Sequence, residues 1–196
     1  MSTVPDNLDR RFRAAAAAAG CLDVAWALAD SPIGELLLAT TPRGICRIAF
    51  DPNVDAVLER LGETFGARVL GSAGPLEPLR GELDEYFEGK RRRFDVPVDL
   101  SGLTSFHRTA LGALSDVGYG MATTYGELAR RLARPQAARA VGGAMHRNPV
   151  PIVVPCHRVI GADGRLTGYA GGLERKRSLL ALEGVSLEPP QGTTSW

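Results

Sequence analysis

Three early apolar-rich runs of strand length, Val24 to Leu28, Gly34 to Thr40 and Ile45 to Phe50, the first alternating large and small side chains, predict three strands. Ser31-Pro32 separates the first pair and Thr41-Pro42-Arg43-Gly44 the second, the latter a hairpin turn signal. The spacing then lengthens. Residues 57–65 (VLERLGETF) and 76–87 (LEPLRGELDEYF) space their apolar side chains three and four apart, which predicts two helices, with a short strand at 67–70 between them. Upstream, residues 7–19 (NLDRRFRAAAAAA) predict a surface helix capped by Asn7 and ended by Gly20, its alanines having the best intrinsic propensity. The chain thus starts with a helical extension, 1–22, followed by a small α/β domain, 23–102. A basic run, Lys90 to Arg93, leads into FDVPVDLSGL, whose proline and glycine predict a linker and a boundary near Gly102.

From 103 to 196 the pattern is helical. Ser105 is the expected cap of a helix reaching Val117, with Phe106, Ala110, Leu111, Ala113 and Leu114 on its apolar face. Thr124-Tyr125-Gly126-Glu127 has the spacing of a capping box and opens a helix over 125–133. Pro135 then occupies the first position of a helix continued by Gln136 to His146. Two short helices joined by a tight turn fit a helix-turn-helix and also a plain helical hairpin, and pattern alone favours the hairpin. Within the second helix Gly142-Gly143 costs about 1 kcal/mol per glycine relative to alanine, so a neighbour gains from the missing side chains. That neighbour is either another helix or a phosphate backbone, for which Arg139, Arg147 and the helix N-terminus would supply positive contacts. A proline-rich strand is expected over 149–155.

Charge changes the picture once it is divided. The whole chain of 196 residues carries a net +1, which by itself argues against a nucleic-acid partner. Split at Gly102, the first part carries −4 and the second +5, a segregation compatible with an anionic partner on the C-terminal part. A 44% hydrophobic and 23% charged composition excludes disorder and fibrous repeats. No stretch approaches the roughly 18 apolar residues that cross a bilayer, and the start lacks the order of a signal peptide, so a soluble cytoplasmic protein without a membrane partner is expected.

The three cysteines, Cys21, Cys46 and Cys156, are an odd count without paired spacing, which fits a reducing compartment. Cys156 is followed by His157 and Arg158. A thiol attacks carbon as the thiolate, and a neighbouring imidazole and cationic side chains lower its pKa, so Cys156 is the candidate nucleophile. Cys21 and Cys46 lack a local histidine and read as packing residues. The three histidines, His107, His146 and His157, show no ligand spacing with the cysteines, and no metal is expected. Downstream, Gly164 to Gly172 forms a glycine-rich loop whose Tyr169 suits a pocket wall or a plain surface turn.

Pro155-Cys156-His157-Arg158-Val159 resembles the active-site signature of the 6-O-alkylguanine-DNA alkyltransferases, or methylated-DNA–protein-cysteine methyltransferases. Residues 139–145 (RAVGGAM), Asn148-Pro149-Val150-Pro151, Gly168-Tyr169-Ala170-Gly171-Gly172 and Leu179-Leu180-Ala181-Leu182-Glu183 fall in that family's order and spacing. The likeness runs from about Phe106 to Gly184. It is weaker upstream, where Asp30 to Gly34 and Leu83 to Phe87 are similar to the family's N-terminal domain.

The resemblance implies a ribonuclease H-like α/β N-terminal domain followed by a mainly α-helical domain with a winged helix-turn-helix. It implies direct repair of double-stranded DNA carrying alkylated guanine, or 4-O-alkylthymine, by irreversible transfer of the alkyl group to Cys156, with no cofactor. His157 would take the thiol proton through a water, Glu183 would hold that imidazole, Asn148 would support the site's hydrogen bonds, and Tyr125 would donate to the leaving guanine. Arg139 would fill the stack left by the rotated nucleotide. Gln136, Ala138, Gly142, Gly143, Arg147 and Thr124 would face the DNA in its minor groove, and Tyr125, Val159, Tyr169, Ala170 and Gly171 would form the base pocket. The protein would act as a monomer able to cluster on DNA. Arg134 before Pro135 departs from the expected capping or small residue, as does His146-Arg147 after the helix. A DNA-binding regulator, a lesion-recognition protein and a thiol hydrolase are the competing classes. The first leaves Glu183 and Tyr125 without purpose, and the last needs turnover and an oxyanion hole.

Overall fold

In the computed structural model, which describes residues 8, 11–13, 15–16 and 19–186, every residue of strand β2 (Leu36–Thr41) is buried, so the sheet is covered on both faces there. β2 pairs antiparallel with β1 (Val24–Ala29) and with β3 (Gly44–Phe50), and β1 pairs in parallel with β4 (Val69–Gly71), giving the order β3-β2-β1-β4. The pleat sorts these apolar runs between the two faces: Val24, Leu37, Ala39, Cys46 and Ala49 fall on one packed cluster with Val57 and Leu61 of helix α1 (Val54–Phe65). α1 begins three residues before the apolar spacing does, because the Asn53 side chain accepts from the Ala56 N–H at 3.2 Å. A 3-10 turn, Gly74–Leu76, packs on β1 and β2 and leads into α2 (Glu77–Phe87), whose Leu79, Leu83 and Tyr86 are buried. Of the extension, residues 8, 11–13 and 15–16 are helical and Gly20 has φ +66°; the expected cap Asn7 lies outside the described residues.

The expected linker after Arg93 belongs instead to the first unit. Ile45 donates to the Pro97 carbonyl at 2.8 Å and Asp99 donates back to Ile45 at 2.8 Å, so the segment lies along the outer edge of β3. The Asp99 carboxylate, in a residue only 4% exposed, accepts from the Thr41 hydroxyl (2.7 Å), Arg43 Nε (3.1 Å) and the Ser101 N–H (2.9 Å). Burial alone would raise its pKa, but the bonds from Ser101, Thr41 and Arg43 hold it at about 2. Asp99→Ala, which leaves the Thr41 hydroxyl only the long contact to the Gly44 carbonyl at 3.4 Å and the Ser101 N–H without its acceptor, is expected to lower stability by about 1–3 kcal/mol in denaturant unfolding; Asp99→Asn, which keeps an acceptor, is expected to lose less.

The chain divides into two compact units between Gly102 and Leu103. In the second, α3 (Ser105–Ser115) is capped by Thr104 rather than by Ser105: the threonine side chain accepts from the His107 N–H at 3.3 Å. Ala110, Leu111 and Leu114 form its buried face. β5 (Thr123–Thr124) leads into α4 (Tyr125–Arg131), where the Thr124 hydroxyl accepts from the Glu127 N–H at 3.1 Å. The capping box is only half formed, because the Glu127 carboxylate pairs with Arg130 and Arg131. A turn through Ala133 (φ +54°) and a 3-10 segment, Pro135–Ala137, enters α5 (Ala138–His146), so the α-helix expected to open at Pro135 starts three residues later. Arg134 lies over the Phe106 ring, 5.7 Å from its centroid.

Residues 149–155 are not a strand. The three prolines remove backbone donors, Ile152 has φ +76°, and the segment closes on itself through Val154 N–H to Val150 O at 2.9 Å. A 3-10 turn, Cys156–Arg158, follows, then β6 (Val159–Ile160), which pairs in parallel with β5, and finally α6 (Leu173–Leu182). Among the described residues no helix is long and apolar enough to cross a membrane.

Candidate functional site

Asn148 organises the loop that presents Cys156. Its side-chain oxygen accepts from the Val150 N–H (3.1 Å), and its amide donates to the Val154 carbonyl (2.7 Å) and to the Cys156 sulfur (3.1 Å). A loop with so few backbone donors of its own needs such a bracket. The cysteine then falls on the 3-10 turn, 6% exposed, with its sulfur aimed at the asparagine.

The turn carries His157 and Arg158 inward, toward the end of α6. His157 Nε2 lies 2.8 Å from Glu183 Oε1; Arg158 donates to both carboxylate oxygens, at 2.8 and 2.9 Å, and to the Val117 carbonyl. Glu183 also accepts from the Gly120 N–H at 3.3 Å. Burial would raise the Glu183 pKa, yet His157 and Arg158 hold it down to about 2. With a carboxylate at Nε2, that nitrogen carries the proton and Nδ1 is left as the acceptor. Nδ1 is buried and has no hydrogen-bond partner among the described residues. Burial also lowers the His157 pKa, so the ring rests neutral, able to take a proton at Nδ1.

This arrangement corrects the expectation that the imidazole and neighbouring cations depress the thiol pKa. Burial pushes Cys156 up to about 11, and the Asn148 bond and the positive charge of Lys176 only partly offset it. Arg158 serves the glutamate, not the sulfur. At rest the site holds a thiol and, one residue on in sequence, a neutral base, and its chemistry requires proton transfer within the site. Cys46 is buried, with its pKa raised to about 12, as a packing residue should be. Cys21 is exposed, because it follows the Gly20 turn at the end of the extension, and so it does not pack.

Lys176 was not legible as a site residue. It is fully buried on α6, where its ammonium donates to the Val159 carbonyl (2.6 Å) and the Thr167 carbonyl (2.9 Å). It ties the strand after the nucleophile to the glycine-rich loop, and burial lowers its pKa to about 8. The available signal was its place on an apolar stripe, three residues after Leu173 and three and four before Leu179 and Leu180.

Tyr125, the first residue of α4, reaches the same loop: its hydroxyl lies 2.9 Å from the Thr167 hydroxyl. Val159 is buried, Gly171 is buried, Tyr169 is half-buried and Ala170 is exposed. Gln136, Arg139 and Arg147 are exposed along α5 and its ends, with Thr124, Ala138, Gly142 and Gly143 half-buried. A Cβ at Gly142 would sit 3.7 Å from the Tyr125 ring and one at Gly143 3.4 Å from Arg147, so Gly142 is a packing contact between α4 and α5. The hydrogen-bonded chain from Asn148 through Cys156, and from His157 through Glu183 to Arg158, includes neither Arg139 nor Gln136. No three His, Cys, Asp or Glu side chains among the described residues are grouped to hold a metal ion.

Two family models match the chain: the 6-O-methylguanine DNA methyltransferase ribonuclease-like domain over residues 24–100 and the DNA binding domain of the same family over 105–185. A methylated-DNA–protein-cysteine methyltransferase of Mycolicibacterium paratuberculosis is 47% identical over 156 residues, spanning 79% of this chain and 88% of that protein. One from Methanosarcina mazei is 50% identical over 162 residues, spanning 81% and 96%. Among solved structures, Mycobacterium tuberculosis OGT in complex with DNA superposes with a TM-score of 0.71 at 39% identity, covering 81% of this chain and 92% of that one.

Proposed function

The chain belongs to the 6-O-methylguanine DNA methyltransferase family, and we propose that it repairs alkylated guanine in duplex DNA by moving the alkyl group to Cys156. The observation that carries this reading is the buried cluster itself: a thiol held by Asn148, next in sequence to a neutral imidazole whose outer nitrogen is fixed on an ionised glutamate. Such a cluster suits one displacement at carbon. The thiol proton passes through a water to His157 Nδ1, and the imidazolium forms against the negative charge of Glu183. The sulfur bonds to the alkyl carbon as the carbon–O6 bond breaks, and the electron pair leaves with the guanine. Tyr125 donates to a ring nitrogen of the departing base and so neutralises it. A thioether has no low-energy route back to a thiol, so each molecule reacts once.

Burial of the sulfur requires the damaged nucleotide to be turned out of the stack. Arg139, exposed on α5, has the reach and charge to enter the vacated place. We read α4 and α5 as a winged helix-turn-helix set in the minor groove, with Gln136, Ala138, Gly143, Arg147 and Thr124 toward the backbone, a mode that gives little sequence readout. The net +5 of residues 103–196 supports weak, salt-sensitive binding to undamaged DNA, as a search for rare lesions requires. The boundary at Gly102 separates this unit from the α/β unit. The reading takes the protein as a cytoplasmic monomer that needs no cofactor and is able to cluster on DNA.

The test is an intact-mass spectrum after incubation with excess duplex DNA carrying 6-O-methylguanine. One methyl group per protein is expected, saturating at one and mapping to the peptide that contains Cys156. Turnover beyond one equivalent, or no adduct, would refute the proposal.

A further inference from the structure

Thr167 lies in a loop that sequence patterns mark only as glycine-rich, yet it is held from two sides. Its carbonyl accepts from the buried Lys176 ammonium at 2.9 Å, and the same ammonium holds Val159, three residues after the nucleophile, at 2.6 Å. Its hydroxyl lies 2.9 Å from the Tyr125 hydroxyl, across 42 residues of sequence. A turn closes the loop before it, with Gly161 N–H donating to Arg165 O at 2.9 Å. A buried cation fixes the backbone of this loop residue, and its side chain meets the Tyr125 hydroxyl from that fixed point, so it is placed and not merely accommodated.

We propose that Thr167 is a positioning residue for Tyr125, donating its hydroxyl proton to the phenolic oxygen while Tyr125 donates to the departing guanine. The inference rests on the role given to Tyr125 above. A threonine hydroxyl can both accept and donate. Without a lesion, Tyr125 can donate to Thr167; with a base in the pocket, the phenolic proton turns to the guanine ring nitrogen and the threonine proton turns to the phenolic oxygen. As the sulfur–carbon bond forms and the carbon–O6 bond breaks, the leaving guanine takes the Tyr125 proton. The negative charge left on the phenolic oxygen is then met by the Thr167 hydroxyl until solvent returns a proton. Lys176 keeps this donor at the right distance through the backbone.

The experiment measures single-turnover methyl transfer from 6-O-methylguanine duplex, and duplex affinity, for the wild type, Thr167→Val, Thr167→Ser, Tyr125→Phe and the Thr167→Val/Tyr125→Phe double variant. Valine keeps the shape and removes the hydroxyl, so transfer is expected to slow about tenfold with duplex affinity unchanged, and serine to restore the rate to within about threefold. In the Tyr125→Phe background, Thr167→Val is expected to cost nothing further, because its effect passes through the phenol. Thr167→Ala, read in the same cycle, replaces valine if the melting temperature of the valine variant moves. Independent, multiplying losses would overturn the inference and leave the Tyr125 role standing; a serine variant as slow as the valine one would also overturn it. A Tyr125→Phe protein reacting at the wild-type rate would overturn both.

Discussion

Glu183→Ala is expected to lower the unfolding free energy by about 3–5 kcal/mol and to slow methyl transfer by about a hundredfold or more. The Glu183 side chain is fully buried and its carboxylate is the shared anion of His157 and Arg158, so removing it leaves a buried guanidinium without its counter-charge and an imidazole without its orienting partner. Denaturant unfolding and single-turnover kinetics read the two effects separately. The same group, with Asp99, sets the acid limit. Its folded pKa, about 2, lies below the ordinary 4.5, so its contribution is complete above about 4.5 and is lost as the pH falls through about 2. His157 acts earlier: it stays neutral in the fold while the unfolded chain takes up a proton, so stability declines as pH falls below its ordinary value of 6.5. Glu183→Ala should shrink the later loss in a pH titration of stability and leave the part carried by Asp99, which is also held at about 2. A full-size loss persisting between 4.5 and 2 would show that other carboxylates carry it.

Asn148→Asp is expected to slow methyl transfer by about a hundredfold or more, while Asn148→Ala costs mainly stability, about 2–4 kcal/mol across the three bonds it breaks. The aspartate still accepts from Val150, but it has no proton for the Val154 carbonyl or for the sulfur, and its charge opposes the thiolate that must form. The Cys156 pKa, already about 11, should rise further in the aspartate variant and less in the alanine one. Alkylation of Cys156 by iodoacetamide as a function of pH, followed by peptide mass spectrometry, ranks the three proteins. Equal reactivity of aspartate and alanine variants would show that the charge at 148 does not reach the sulfur.

What the sequence made legible was local. Strand-length apolar runs and period-3.6 runs marked β1, β2, β3, α1 and α2, the residues around Cys156 pointed to His157, and Asn148 and Glu183 came only with the family resemblance. What it hid was made by contacts between distant residues. Asp99 reads as a polar residue in a proline- and glycine-containing stretch, and only Thr41 and Arg43, more than fifty residues away, make it a buried anchor. Thr167 is a turn residue until Tyr125 stands opposite it. The run 149–155 has the β-branched content of a strand, but its three prolines remove the donors a sheet needs. Arg158 was expected to work on the thiol because it is near in sequence; the 3-10 turn points it toward Glu183. One cap is displaced by a single residue, to Thr104 from Ser105, where both are competent, whereas Thr124 caps its helix as its spacing predicts.

The segment held by Asp99 has a further consequence, for solubility. β3 is an outer strand of its sheet, and an outer strand offers a row of unpaired amides and carbonyls to any other extended chain. Here Pro97 and Asp99 take up the two backbone groups of Ile45, and Gly44, with φ +140°, lets the Pro97 carbonyl approach where a Cβ would lie 2.4 Å from it. The residue laid against the edge is flanked by a proline, which cannot extend the ladder outward. The stretch resembling a tether is therefore a guard: a fragment cut at the basic run would keep the strands and helices of the first unit while exposing the edge on which chains associate.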